Sequence, residues 1–224
     1  MTRIPGHRSV CRVRRSAAGH EAGRQHHARA LTALWLVLSA LLVFAAAGNA
    51  ANLVKPGKWE TLNGCRFMPE SYSDGDSFHV KYGQREFIFR LYFVDAPETD
   101  KGFPDRNREQ CEHFGITPEQ LVKGGEEARA FSKECTGRPF VITTRWQNAM
   151  GRSALPRYFA IVEVGGQDLG ELLVSNGWAR AKGTVAVLPS GGKASDQMEK
   201  LRKLEVEAKA KRVGIWGYAK PELK

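Results

Sequence analysis

The chain has 224 residues, room for one domain of ordinary size plus extensions, and such a domain buries enough surface to fold without disulfide staples. Its formal charge of +10 points at first to a polyanion binder, but residues 1–50 hold seven Arg against one Glu, and beyond them 27 Lys+Arg face 23 Asp+Glu. Bulk charge is therefore only weak support for a polyanionic partner, and with only His79 and His113 left beyond residue 50 a His-built transition-metal site is excluded; any metal should be held by oxygen.

Residues 1–29 are basic and lack apolar periodicity, and residues 30–47 follow without a charge, ending in small residues. That pattern is a secretory signal with cleavage expected after Ala50, and a secreted or periplasmic location follows. A retained membrane anchor is the alternative, because eighteen apolar residues can just span a bilayer. Cys65, Cys111 and Cys135 would remain in the mature chain, an odd number. The expected pair is Cys111 with Cys135, which brackets an insertion and a helix; three unpaired thiols is the other possibility.

Residues 51–73 read as a lead-in whose Pro56-Gly57 and Asn63-Gly64 mark turns. Phe78, Val80 and Tyr82 then alternate with polar residues, Gly83-Gln84 punctuates, and 87–94 is nearly all apolar, so two strands and a closed or sandwiched sheet are expected. Residues 100–125, with Pro104, Gly115 and Pro118, read as a long polar surface loop with room for a short helix, followed by a helix over about 125–135. Strands are expected at 140–146 and 157–164, the second turned by Gly165-Gly166. A short helix at 169–176 stops at Gly177, 182–193 is a loop, and a last helix runs over 195–212 with Ser195 as its N-cap. The order implies an α+β fold, a small β-barrel packed by helices, with its domain over 74–217 and a short tail at 218–224.

The chemistry concentrates in residues 74–99. Two acidic turns, Asp74-Gly75-Asp76 and Asp95-Ala96-Pro97-Glu98, stand at the ends of an expected hairpin with Arg90 inside its second strand. Ca²⁺ takes six to eight oxygen ligands from carboxylates, carbonyls and water, and this hairpin could gather them. Both segments also suit plain β-turns. Arg90 weighs against that: a guanidinium in an apolar strand needs a partner, either a carboxylate or a phosphodiester.

With these residues in view, the hairpin closely resembles the staphylococcal nuclease, or thermonuclease, family. Residues 127–133 (EARAFSK), 157–174 (RYFAIVEVGGQDLGELLV) and 201–216 (LRKLEVEAKAKRVGIW) resemble further family segments in the same order. The resemblance implies an OB-fold five-stranded barrel with three helices, and Ca²⁺-dependent hydrolysis of DNA and RNA by a monomer. Carried across, it implies Asp76, Asp95 and the Ala96 carbonyl as metal ligands, Glu98 as general base, and Arg90 and Arg157 as the catalytic arginines. Arg152, in Met150-Gly151-Arg152, is the alternative second arginine; Arg152 and Lys182 are also candidate substrate contacts. Two features depart from the family: residues 182–190 lack tyrosines, and 99–125 is an insertion whose Lys101, Arg106 and Arg108 touch nucleic-acid backbone or are solvated. A non-catalytic nucleic-acid-binding OB module and a membrane-tethered nuclease are the competing expectations.

Overall fold

The computed structural model describes residues 57–69, 73–151 and 153–219. The chain divides into Met1–Leu53 and Val54–Lys224, and every described residue belongs to the second unit. The expected signal segment, its cleavage point and Arg152 lie outside the described residues. Among the described residues no helix is long and apolar enough to cross a membrane.

Six strands form one sheet: β1 (Glu60–Met68), β2 (Ser77–Tyr82), β3 (Arg85–Leu91), β4 (Phe140–Asn148), β5 (Arg157–Val164) and β6 (Gln167–Asp168). Their order is β3-β2-β1-β4-β5-β6, and β3 also pairs with β5 in parallel, so the first five strands close into an OB-fold barrel. Closure explains why residues 87–94 are apolar without alternation: Phe87, Ile88, Phe89, Leu91, Tyr92, Phe93 and Val94 are all buried, part inside the barrel and part under helices. The lead-in was expected to be irregular, yet it supplies β1, which pairs with both β2 and β4. Its Asn63-Gly64 is a β-bulge, not a chain reversal: the register slips between Leu62 and Cys65, and Gly64 takes φ 76.

Among the described residues four α-helices pack on the barrel: α1 (Pro104–Phe114), α2 (Pro118–Cys135), α3 (Leu169–Ser175) and α4 (Ala194–Lys211). The family pattern accounts for three, and α1 with the first half of α2 replaces the loop expected at 100–125. The misleading residues are helix caps. Pro104 and Pro118 each open a helix, where a missing N–H costs nothing, Thr117 and Gln120 form a capping box, and Gly115 ends α1 at φ 69. Ser195 does not cap α4; Lys193 holds that position without a side-chain bond.

The main core joins Phe78, Phe89, Ile142, Val162 and Leu173 to Leu201 of α4. A second cluster, Phe114, Leu121, Ala208, Ile215 and Trp216, ties α1 and α2 to the C-terminal end. The expected Cys111–Cys135 bridge is not formed, and all three described cysteines are free. Cys111 packs with the second cluster near Glu119 at the start of α2, whereas Cys135 ends that helix against the main core. The intervening helix, at about 1.5 Å per residue, holds the two thiols far beyond disulfide reach.

Two glycine and capping details place the site. A Cβ on Gly125 of α2 would come within 2.3 Å of the Glu98 carbonyl oxygen, so the helix lies directly on the segment that carries Glu98. Asp168 caps α3, accepting from the Glu171 N–H at 2.9 Å, and burial pushes its carboxyl up to about 6.

Gly125→Ala is expected to lose about 1–3 kcal/mol in urea denaturation through overpacking against a backbone that cannot yield. For Asp168 the folded-state value lies above the unfolded 3.8, so its contribution is present below about pH 4 and is lost as pH rises through about 6. Asp168→Asn, also a good N-cap, should therefore flatten that pH dependence and gain up to about 3 kcal/mol at pH 7, measured by denaturation at pH 4 and pH 7.

Candidate active site

The acidic turn before β2 is held by close packing. Gly75 fits between Ala128 of α2 and Ala96, where an added Cβ would meet both methyls at 2.8 Å, and its carbonyl accepts from Ser132 Oγ at 2.6 Å. This contact brings Asp76 beside the second acidic turn, where its Oδ2 accepts from the Ala96 N–H at 3.2 Å. Asp95 is placed from the other side by an antiparallel bridge with Arg180.

The barrel sets the two arginines. Ser77 pairs with Arg90 across β2 and β3, while Ile88 pairs with Arg157 across the parallel β3–β5 junction. Ile88 and Arg90 are two residues apart and share a face, so Arg157 and Arg90 come to one face as well. Both line a cavity of about 490 Å³ with Asp74, Ser77, Glu98 and Arg106. Residues expected from sequence as one site, Arg90, Glu98 and Arg157, are thus gathered around one space, with Asp76 and Asp95 hydrogen-bonded to Arg90. Lys182 does not line this cavity; its Nζ pairs with Glu109 of α1 at 2.6 Å.

Arg90 donates through Nη2 to Asp76 Oδ2 at 3.0 Å and to Asp95 Oδ1 at 3.2 Å. The Asp76 charge, with those of Asp74, Asp95 and Glu98, raises its pKa still further, so it is a fixed cation. Arg157 is in a different state. It donates through Nη2 to Ser77 Oγ at 2.6 Å, its Nε is buried without a partner, and no carboxylate pairs with it among the described residues. Burial first, and then the Arg90 charge, lower its pKa. Gly151, at φ 132, lets the preceding loop cross it: a Cβ there would stand 2.9 Å from Arg157 Nη1.

Three further residues, none of them among the expected catalytic set, complete the site. Arg106 of α1, expected to touch backbone or solvent, reaches the carboxylates: Nη2 to Asp95 Oδ1 at 2.5 Å and Nε to Glu98 Oε1 at 2.6 Å. Gln110, one turn on, donates to Asp95 Oδ2 and to the Ala96 carbonyl, and accepts from the Glu98 N–H. Arg180 is 1% exposed and places Nε and Nη2 on Asp95 Oδ2 at 3.0 and 2.8 Å while forking Glu109 with Nη1 and Nη2. Glu109 is drawn down to about 2 by those bonds. Only tertiary contact reveals Arg180, whereas the helical spacing of Arg106 and Gln110 was a signal hidden by reading α1 as loop.

The carboxylates are crowded. Asp74 is held well above the usual carboxylate range by burial and by hydrogen-bonded, like-charged Asp76, and its Oδ1 is buried without a partner. Glu98 is also raised, by burial foremost and against the pull of Arg106. Among the described residues no cluster of three or more His, Cys, Asp or Glu is arranged as a metal site. The donor chemistry nevertheless fits a hard cation: the orphaned Asp74 oxygen and the crowding of like charges that raises Asp74 are what a divalent ion beside these carboxylates would relieve. Asp95 is the obstacle, because five N–H donors already meet its roughly four lone-pair positions.

The staphylococcal nuclease homologue family model matches residues 88–218, more than half of the chain. The match takes in Arg90, Asp95, Glu98, Arg157 and Arg180 and begins after Asp76.

Arg180→Met removes a fully buried cation from buried Asp95 and surface-exposed Glu109 and is expected to cost about 3–5 kcal/mol. Lys182→Ala, which touches the same Glu109 at the surface, should cost less than about 1 kcal/mol. Parallel urea titrations of both variants check the contrast.

Proposed function

This chain belongs to the staphylococcal nuclease homologue family, whose members cleave phosphodiesters, and on that footing we propose that it is an exported, Ca²⁺-dependent nuclease acting on DNA and RNA. The observation that carries this reading is Arg157, a half-buried guanidinium with a buried, unused Nε and no paired carboxylate among the described residues, beside Arg90 in a cavity that also holds Glu98. A desolvated guanidinium nitrogen without a hydrogen-bond partner is costly, and a phosphodiester seated between the two arginines would supply one.

Glu98 is the base in this reading. Its carboxyl borders the cavity, and its raised pKa brings it nearer the operating pH, where a general base works best. It orients a water and takes its proton as the oxygen attacks phosphorus. Arg90 and Arg157 then meet the charge that grows on the non-bridging oxygens, donors already in place before the reaction begins. A divalent cation bound by Asp76, Asp95 and the Ala96 carbonyl would add Lewis-acid neutralisation of that charge. Because Asp95 has no lone pair to spare, Arg106 would release it when the cation binds, keeping its hold on Glu98 through Nε.

The test is cleavage of single- and double-stranded DNA and of RNA with Ca²⁺, Mg²⁺ or chelator. Ca²⁺-dependent cleavage is expected, with kcat falling about 10²- to 10⁴-fold in Glu98→Gln and by a comparable factor in Arg157→Ala, while circular dichroism shows both folded. Undiminished cleavage by either folded variant would remove that residue from its role. A chain that cuts nothing with Ca²⁺ is instead a binding module, the reading that the saturated Asp95 carboxylate favours.

A further inference from the structure

Among the described residues four side chains donate to Asp95, and one of them has room to leave. Gln110 is fully buried, Arg180 nearly so, and Arg90 is held by Asp76 as well, whereas the Arg106 side chain is 35% exposed and lines the 490 Å³ cavity. Its guanidinium is also divided between two carboxylates: Nη2 stands 2.5 Å from Asp95 Oδ1 and Nε 2.6 Å from Glu98 Oε1. The Nη2 bond is the one that matters to a cation. Oδ2 of Asp95 is taken by Gln110 and Arg180, and Oδ1 by Arg90 and Arg106, so withdrawal of Arg106 Nη2 alone opens a lone-pair position. That position lies on the Asp76 side, because one Arg90 nitrogen touches both Asp95 Oδ1 and Asp76 Oδ2.

We propose that Arg106 is a swinging guanidinium that couples the two ligands of this site. On Asp95 it fills a position that a divalent cation needs; off Asp95, and still held to Glu98 through Nε, it turns Nη2 to the phosphodiester as a third cation beside Arg90 and Arg157. The inference rests on the proposed nuclease reading. Its physical basis is competition: a guanidinium and a divalent cation cannot use the same lone pair, and the planar fork of Arg serves a phosphate as well as a carboxylate. Arg106 can satisfy Asp95 or the phosphodiester, so cation and strand favour one another, and the coupling is the same read from either ligand. Arg106 thereby raises the cation concentration at which the site fills, and a strand in the cavity lowers it again.

The test is titration calorimetry with Ca²⁺ and with a dinucleotide carrying CH₂ in place of both bridging oxygens, an anion that cannot be cut. Arg106→Ala and Arg106→Gln should bind Ca²⁺ alone about 10- to 150-fold tighter than the parent. In the parent, saturating dinucleotide should tighten Ca²⁺ about 5- to 150-fold, and both variants should lose most of that coupling. Arg108→Ala removes an exposed charge of the same helix, paired with Asp105, and should change either affinity less than about twofold. Ca²⁺ bound equally or more weakly by both Arg106 variants overturns the swing, because a merely structural Arg106 predicts a loosened, weaker site. So does undiminished coupling, or an absence of Ca²⁺ binding in parent and variants alike. Circular dichroism checks folding, and if neither variant folds the parent decides alone. Ca²⁺ should then shift the Arg106 Nη signals in its guanidinium NMR spectrum while the Nε–H stays protected, and unmoved Nη signals overturn the proposal. Cleavage is scored apart. A parent that cuts while its variants bind Ca²⁺ no tighter keeps the nuclease reading and loses the swing. A parent with Arg106-dependent coupling that cuts nothing keeps the swing and loses the nuclease reading.

Discussion

One carboxylate organises this molecule. Asp95 accepts from Arg90 of the barrel, Arg106 and Gln110 of the insertion helix, and Arg180 of the segment after α3, so three separately folded pieces meet on two oxygens. A buried ion pair of this kind is a weak source of net stability, because desolvation consumes most of the Coulombic gain. Its effect is geometric. Each donor loses a strong bond if its element moves, so the carboxylate fixes where the barrel, α1 and the Arg180 segment stand relative to one another, and the cavity between them inherits that precision.

The barrel makes a complementary contribution that no single strand contains. The parallel β3–β5 junction brings Arg157 to the same face as Arg90 although more than sixty residues separate them. The two guanidinia are then treated differently by their surroundings. Arg90 is balanced by Asp76 and Asp95, while Arg157 has a serine hydroxyl and an unused Nε. A guanidinium with no paired carboxylate among the described residues is how a site suited to a phosphodiester differs from a structural ion-pair network, where every charge has its partner.

Residues 100–125 add a helix beside the barrel without interrupting its strand order. The new helix adds a small second core around Phe114 and Trp216, and its polar face is spent on the carboxylates of the site. The caps that make the helix possible, Pro104, Thr117 and Gly115, are the residues that made the stretch look like loop. Proline and glycine report a local backbone requirement, and a helix terminus imposes the same requirement as a turn.

The amino-acid sequence by itself determined the strands at 77–91 and 157–164 and the α+β class, because alternation is a local property of a chain, and the resemblance it carries pointed to Arg90, Glu98 and Arg157, which the fold brings to one cavity. It also marked Arg90 as needing a partner, since a charge among aromatic residues is anomalous wherever the strand ends up. The tertiary structure alone decided the rest. The strand β1 was invisible because a bulge at Gly64 looks like a turn until its two neighbours are known. Separation of Cys111 from Cys135 followed from an unbroken helix between them, and Lys182 left the site for Glu109. Arg106, Gln110 and Arg180 entered it because hydrogen bonds form between atoms near in space, and nothing in linear order says which polar side chains a closed barrel and its helices will bring within 3 Å.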